Sequence, residues 1–206
     1  MLSHDAQEIA SHMLIVCGPS GSGKSTLIAH LLERRRSCEL SRSMTTRAPR
    51  GIERDGLEYD FVDLETFNAR IEEDAFAEYA KVFGHYYGTP HSMIREKIIL
   101  GLDVVFDIDV QGARQLKKRY PGAWCMLISP PSFEILEKRL RARATDSPEV
   151  IASRLKIASD EMSQRNLFDF IVINDDLATA SDKCCAIYDA MRLRSKRGDN
   201  QVIELA

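Results

Sequence analysis

The sequence predicts an α/β fold: a doubly wound parallel sheet with helices on both faces, interrupted by a small mixed β-rich insertion. Three observations predict it. Four short apolar runs, Met13–Cys17, 104–108, 124–128 and Phe170–Ile173, are rich in Val, Ile, Leu or aromatics and are bounded by Gly, Pro, Asp or Ser. Strands buried on both faces have that composition. Helical patterns at 24–36, 91–100, 111–118, 132–141, 148–164 and 177–194 alternate with the runs, as in βαβ units. Between Thr45 and Thr89 the pattern changes: aromatic-rich pieces at 59–62 and 76–83 flank one short helical pattern at 65–72.

Each element has its own signal. Residues 1–11 are polar, carry Asp5 and Glu8, and lack a basic segment followed by an apolar one, so they read as a frayed leader and not a secretory signal. The helix at 24–36 ends on Arg34-Arg35-Arg36, a complement to the negative end of its dipole. A further strand is expected at 38–44. The run at 104–108 leads into Asp107-Ile108-Asp109, whose alternation puts both carboxylates on one side. Residues 139–154 are dense in charge and contain the breaker Thr145-Asp146-Ser147-Pro148, which predicts a mobile flap between two helices. Asn174-Asp175-Asp176 after the last strand suits a turn and an N-cap. The expected domain is 11–192, with a core at 11–42, 90–134 and 160–192, an insertion at 43–89, the flap at 135–159, and flexible termini at 1–10 and 195–206.

Composition narrows the function classes. A chain of 206 residues, 44% of them hydrophobic, buries one substantial core. A formal net charge of -3 lacks the basic excess of a nucleic-acid binder. There is no apolar run long enough to span a membrane. The 5 cysteines are odd in number and have no C-x-x-C spacing, so they read as packing residues or surface thiols in a reduced, cytoplasmic compartment. The 5 histidines lack metal-ligand spacing, which argues against zinc.

The strongest local motif is Gly18-Pro19-Ser20-Gly21-Ser22-Gly23-Lys24-Ser25, a G-x-x-x-x-G-K-[ST] loop between a strand and a helix. Its glycines let successive N–H groups turn inward on phosphate oxygens, and the following helix adds its positive end. Lys24 supplies a point charge to β- and γ-phosphates, and Ser25, next to Thr26, offers a hydroxyl to Mg²⁺. The loop predicts binding of a nucleoside triphosphate. It does not separate a kinase from a GTPase, a motor or a scaffold.

A second set of residues lies in the insertion. Ser43-Met44-Thr45-Thr46-Arg47-Ala48-Pro49-Arg50 sets two arginine forks on a stretch stiffened by proline, a pairing that suits phosphate oxygens. Downstream come Gly56-Leu57-Glu58-Tyr59-Asp60-Phe61-Val62, then Glu78, then Gly84-His85-Tyr86-Tyr87-Gly88-Thr89. The succession of phosphate loop, S-x-T-T-R-x-P-R, Y-x-F-V, Y-Y-G-T and D-I-D-x-Q-G resembles the guanylate kinase family from about Leu14 to about Arg192.

That resemblance implies a P-loop kinase that moves the γ-phosphoryl group of ATP to GMP, with dGMP as a further acceptor to be tested. It makes the insertion the GMP-binding part and the flap a helical lid. It implies that Arg47, Arg50, Tyr59 and Tyr87 hold the acceptor phosphate and that Ser43, Glu78, Thr89 and Asp109 read guanine. One carboxylate accepts from guanine N1–H and N2–H₂ together, whereas adenine reverses that pattern and would leave it unpaired. Asp107 would order the Mg²⁺ hydration shell, Arg139, Arg143 and Arg154 would be lid arginines, and Asn174 would lie by the adenine of ATP. No general base is required, because the acceptor phosphate is already largely ionised at neutral pH. The expected partners are ATP and GMP, acting on a cytoplasmic monomer or homodimer with Mg²⁺. Two readings stay open beside this one: a kinase for another nucleoside monophosphate, and a non-catalytic interaction scaffold.

Overall fold

The computed structural model describes residues 4–82, 84–142 and 147–194. In chain order the elements are α1 (His4–Ser11), β1 (Met13–Cys17), α2 (Lys24–Arg34), β2 (Cys38–Leu40), β3 (Ser43–Thr45), β4 (Tyr59–Phe61), α3 (Leu64–Glu72), β5 (Phe76–Val82) and β6 (His85–Pro90). There follow α4 (His91–Ile99), β7 (Asp103–Asp107), α5 (Val110–Arg119), β8 (Trp124–Ser129), α6 (Phe133–Ala142), α7 (Pro148–Ser163), a 3-10 turn at Arg165–Leu167, β9 (Phe170–Ile173) and α8 (Leu177–Arg192).

Five strands form an all-parallel sheet in the order β2-β7-β1-β8-β9. Period-two alternation divides its side chains between two cores. Met13, Ile15 and Cys17 of β1 face Phe106, Leu127 and the α5 residues Ala113 and Leu116. Leu14 and Val16 face Val105, Ile128, Leu27 and Leu31 of α2, and Tyr188 of α8. All five cysteines are free and buried, so the surface-thiol half of that expectation falls away. The predicted doubly wound sheet is therefore present. Among the described residues, no helix is long and apolar enough to cross a membrane.

A second sheet, in the order β4-β3-β6-β5, holds the insertion. Strand β3 runs parallel to β4 and antiparallel to β6, which pairs antiparallel with β5. Its small core is aromatic: Phe67 of α3 stacks on Phe76 at 4.5 Å between centroids and lies 5.4 Å from Tyr86.

Two expectations are corrected. The single strand at 38–44 is two strands in two sheets. Ser41 still donates its N–H to Val105 O at 2.7 Å, but Arg42 turns away to pair with Asp60 and Gly56 O, and β3 enters the other sheet. Residues 4–11, expected to be frayed, form α1, because Ala6, Ile9 and Ala10 recur on one face and pack against the sheet. Residues 195–206, expected to be flexible, lie outside the described residues, as do Phe83 and residues 143–146 of the flap.

The sheet end remote from the phosphate loop carries a buried ionic network. Asp103, 1% exposed, lies 2.8 Å from His12 Nδ1 and accepts the Tyr188 hydroxyl at 2.7 Å. Tyr188 Oη also meets Ser37 Oγ at 2.8 Å. Removing the carboxylate from such a network takes a hydrogen-bond partner from two buried polar groups at once, at a cost of about 3 kcal/mol. Asp103→Ala should therefore lower the thermal midpoint by roughly 6–12 °C when followed by circular dichroism. An unchanged midpoint would show that the network contributes nothing to stability.

Candidate active site

The loop at 18–25 leaves the C-terminal end of β1 and opens α2. Gly23 is left-handed (φ 89°) and caps α2 without a side chain, so the first-turn N–H groups face the loop mouth. A Cβ there would lie 2.2 Å from Asn174 Nδ2. That amide donates to Ser22 O at 2.8 Å, and Asn174 N–H donates to Ser129 O at 2.8 Å. The end of β9 thus braces the loop from behind. Gly18, Pro19, Ser20, Gly21 and Ser22 complete the turn, closed by Ser22 N–H to Pro19 O at 3.0 Å. Ser25 and Thr26 are exposed on the first turn of α2.

Lys24 Nζ lies 2.5 Å from Asp107 Oδ1 at the end of β7. Burial alone would push the ammonium pKa down, but the Asp107 charge and hydrogen bond outweigh it and hold Lys24 above its ordinary value. Asp109, two residues on, caps α5: Oδ1 accepts from Gly112 N–H at 2.9 Å and Oδ2 from Gln111 Nε2 at 3.0 Å. The cap expected within Asn174-Asp175-Asp176 is Asp176, which accepts Thr179 N–H at 2.8 Å.

Between the two sheets lies a cleft of about 320 Å³. Lys24, Asp107 and Asp109 line its core side. Ser43, Tyr59, Glu78 and Tyr87 line the side built by the second sheet. Glu78 and Thr89 face each other in the β5–β6 register, and Thr89 Oγ1 donates to Glu78 Oε1 at 2.6 Å. Ser43 Oγ lies 3.3 Å from Thr89 Oγ1. Burial pushes the Glu78 carboxyl up to about 7, opposed by the Thr89 hydrogen bond and reinforced by the Asp109 charge.

Arg47, 6% exposed, stands behind this wall. Its Nε donates to Tyr87 Oη at 3.1 Å, and its guanidinium lies over the Tyr59 ring at 5.3 Å. The remaining fork is engaged by Glu53, at 2.8 and 3.0 Å. Arg50 is exposed, and its backbone N–H also donates to Glu53, at 2.7 Å. The structure thus gathers Arg47, Tyr59 and Tyr87 and leaves the Arg50 side chain at the surface.

Two of the flap arginines reach the phosphate loop or its brace. Arg154 Nη1 donates to Ser20 Oγ at 3.3 Å, and Arg139 Nη2 donates to Asn174 O at 3.0 Å. Both sit on α6 and α7, which share a small core of Leu136, Leu140, Ile151 and Ala158. Arg143 lies outside the described residues.

Sequence reasoning missed two carboxylates. Glu53 follows the arginine pair across the turn at Gly51, and its signal was a carboxylate one turn beyond two cations. Glu161 lies on the face of α7 that carries Ile151 and Ala158, where an acid on an apolar stripe was the available clue. Burial raises its pKa, with Lys24 opposing and Asp109 adding to the rise.

The model of the family described as "Guanylate kinase" matches residues 10–190. A guanylate kinase of Aromatoleum aromaticum is 47% identical over 182 residues, covering 88% of this chain and 89% of that protein. One of Carboxydothermus hydrogenoformans is 41% identical, covering 93% of this chain and 94% of that one. The crystal structure of guanylate kinase from Anaplasma phagocytophilum superposes with a TM-score of 0.72 at 31% identity, over 90% of this chain and 88% of that one.

Proposed function

Since the chain belongs to the guanylate kinase family, we propose that its cleft carries out the ATP-dependent phosphorylation of GMP to GDP by in-line transfer. The single observation that carries this reading is the placement of the loop lysine and a buried carboxylate on opposite walls of one cleft of about 320 Å³. A donor phosphate chain at residues 18–25 and a guanine at Glu78 would then face each other across it.

On this reading the roles divide by wall. Arg47, Arg50, Tyr59 and Tyr87 clasp the GMP phosphate, which displaces Glu53 from the Arg47 fork. Glu78 accepts from guanine N1–H and N2–H₂, while Ser43 and Thr89 supply hydroxyls and Asp109 flanks the base. Lys24 exchanges Asp107 for the β- and γ-phosphates. Arg139, Arg143 and Arg154 close over the transferring group and exclude water. Asn174 holds the loop shape and borders the adenine. The acceptor phosphate, with a second pKa of about 6, is itself the nucleophile, so catalysis rests on alignment and on cancelling charge.

The donor set suits Mg²⁺. Ser25 and Asp107 offer hard oxygen atoms near the loop, and Mg²⁺ takes few protein ligands, keeping water and substrate phosphates for the rest. When bound, the ion would neutralise charge shared by the β- and γ-phosphates. Residues 43–89 act as the acceptor-binding part and 135–159 as the lid of one core domain. The enzyme works in the cytoplasm as a monomer or homodimer in purine nucleotide metabolism, without nucleic acid or membrane.

The test is an ADP-release assay with ATP, Mg²⁺ and each of GMP, dGMP, AMP and dTMP. GMP should exceed AMP by at least about a hundredfold in kcat/KM. No GMP-dependent ADP release would overturn the reading and favour a scaffold; equal use of AMP would overturn the assignment of Glu78.

A further inference from the structure

We propose that Gly112 and Gln115 of α5 are positioning residues that set the place of the Glu78 carboxylate, and through it the affinity for the guanine base. The inference rests on the reading of Glu78 given above. It starts from an oddity of local sequence. Gly112 lies in the first turn of α5, where glycine costs about 1 kcal/mol relative to alanine, and its φ is not positive, so conformation does not require it.

Space does require it. A Cβ on Gly112 would lie 2.5 Å from Glu78 Oε2, 3.2 Å from Glu78 Cδ and 3.3 Å from Ile108 Cδ1. Glu78 is 4% exposed, and Thr89 Oγ1 grips its other oxygen at 2.6 Å. The carboxylate therefore sits between a bare patch of helix and a hydroxyl, and a methyl group would push it off one of them. One turn along the same face of α5, Gln115 exchanges two hydrogen bonds with the backbone of Tyr79, the residue after Glu78: Tyr79 N–H to Oε1 at 3.1 Å, and Nε2 to Tyr79 O at 2.6 Å. The amide acts as an added strand partner for β5. Helix α5 is anchored in the parallel sheet by Ala113 and Leu116. Gly112 and Gln115 thus transmit the position of the rigid core to the base-reading carboxylate on the second sheet.

The test is a mutant cycle read by calorimetry of GMP binding, with thermal melts as a check on folding. Gly112→Ala moves the carboxylate by about 1 Å and should weaken GMP binding by about ten- to a hundredfold. The affinity for ATP should stay within about twofold, since the atoms nearest the added Cβ are those of Glu78 and Ile108 and none is in the phosphate loop. In a Glu78→Gln background Gly112→Ala should add no further loss, because the group it positions is already changed. Gln115→Ala leaves the helix intact and should weaken GMP binding by about threefold or more without changing kcat; it carries the test should Gly112→Ala fail to fold. Wild-type GMP affinity in the Gln115→Ala protein, or a Gly112→Ala loss that multiplies fully with that of Glu78→Gln, would overturn the inference. Unchanged GMP affinity in Glu78→Gln alone would remove the base reading itself, and this inference with it.

Discussion

Lys24→Ala should lower kcat for GMP phosphorylation by about a thousandfold, or about 4 kcal/mol of transition-state stabilisation, while leaving GMP affinity within about threefold. The ammonium lies 2.5 Å from Asp107, and on the proposed reading it stands on the donor wall, so its loss would remove charge from the transferring phosphates and not from the acceptor. Asp107 is 29% exposed at its side chain, so water replaces the lost partner and the fold survives. Lys24→Arg keeps the charge but enlarges the head group at a position where the lysine side chain is only 18% exposed, and should recover only part of the rate. Steady-state rates in the ADP-release assay, beside calorimetric GMP binding, separate the two effects. A kcat within about tenfold of wild type would show that Lys24 only satisfies Asp107.

The parts of this architecture legible in the sequence are those set by local pattern. Met13–Cys17 is legible with its final bounds because a strand covered on both faces must be apolar at every position; Phe170–Ile173 is equally apolar and equally legible, although as the edge strand it leaves Ile171 and Ile173 exposed. The phosphate loop was legible because its glycines and lysine lie within one turn. The break at Ser41 and Arg42 was not, because β2 and β3 are each three residues long and the choice of sheet is made by distant partners, Val105 for one and Gly88 for the other. Helix α1 was missed because only three small or apolar side chains carry its packing face. Around the cleft, Arg47, Tyr59 and Tyr87 could be singled out by motif and Glu78 through the family resemblance, whereas the bond of Glu53 to the Arg47 fork is a tertiary fact. Gln115 is hidden for the same reason: nothing in its neighbours announces that it pairs with the backbone of Tyr79.

Glu78→Gln should do two opposite things: lower kcat/KM for GMP by about a hundredfold or more, and raise stability at alkaline pH. The first follows from chemistry. An ionised carboxylate accepts from both guanine donors, whereas an amide presents its own donor to one of them. The second follows from burial. The Glu78 carboxyl is pushed up to about 7 from an ordinary 4.5. Between those values the folded protein keeps a proton that the unfolded chain has released. The stability contributed by this group is therefore complete below pH 4.5 and is lost as pH rises through 7. Wild type should lose up to about 3 kcal/mol over that window relative to Glu78→Gln, which has no proton to lose. On the proposed reading guanine binding needs the ionised form, so the GMP KM of wild type should fall as pH rises from 6 to 8, the direction in which the free enzyme weakens. Denaturant titrations of both proteins at pH 5 and pH 8 test the stability half, and the pH dependence of KM tests the other. Parallel stability curves would show that Glu78 is already ionised in the free enzyme. A pH-independent KM together with an intact Glu78→Gln enzyme would show that this carboxylate does not grip the base.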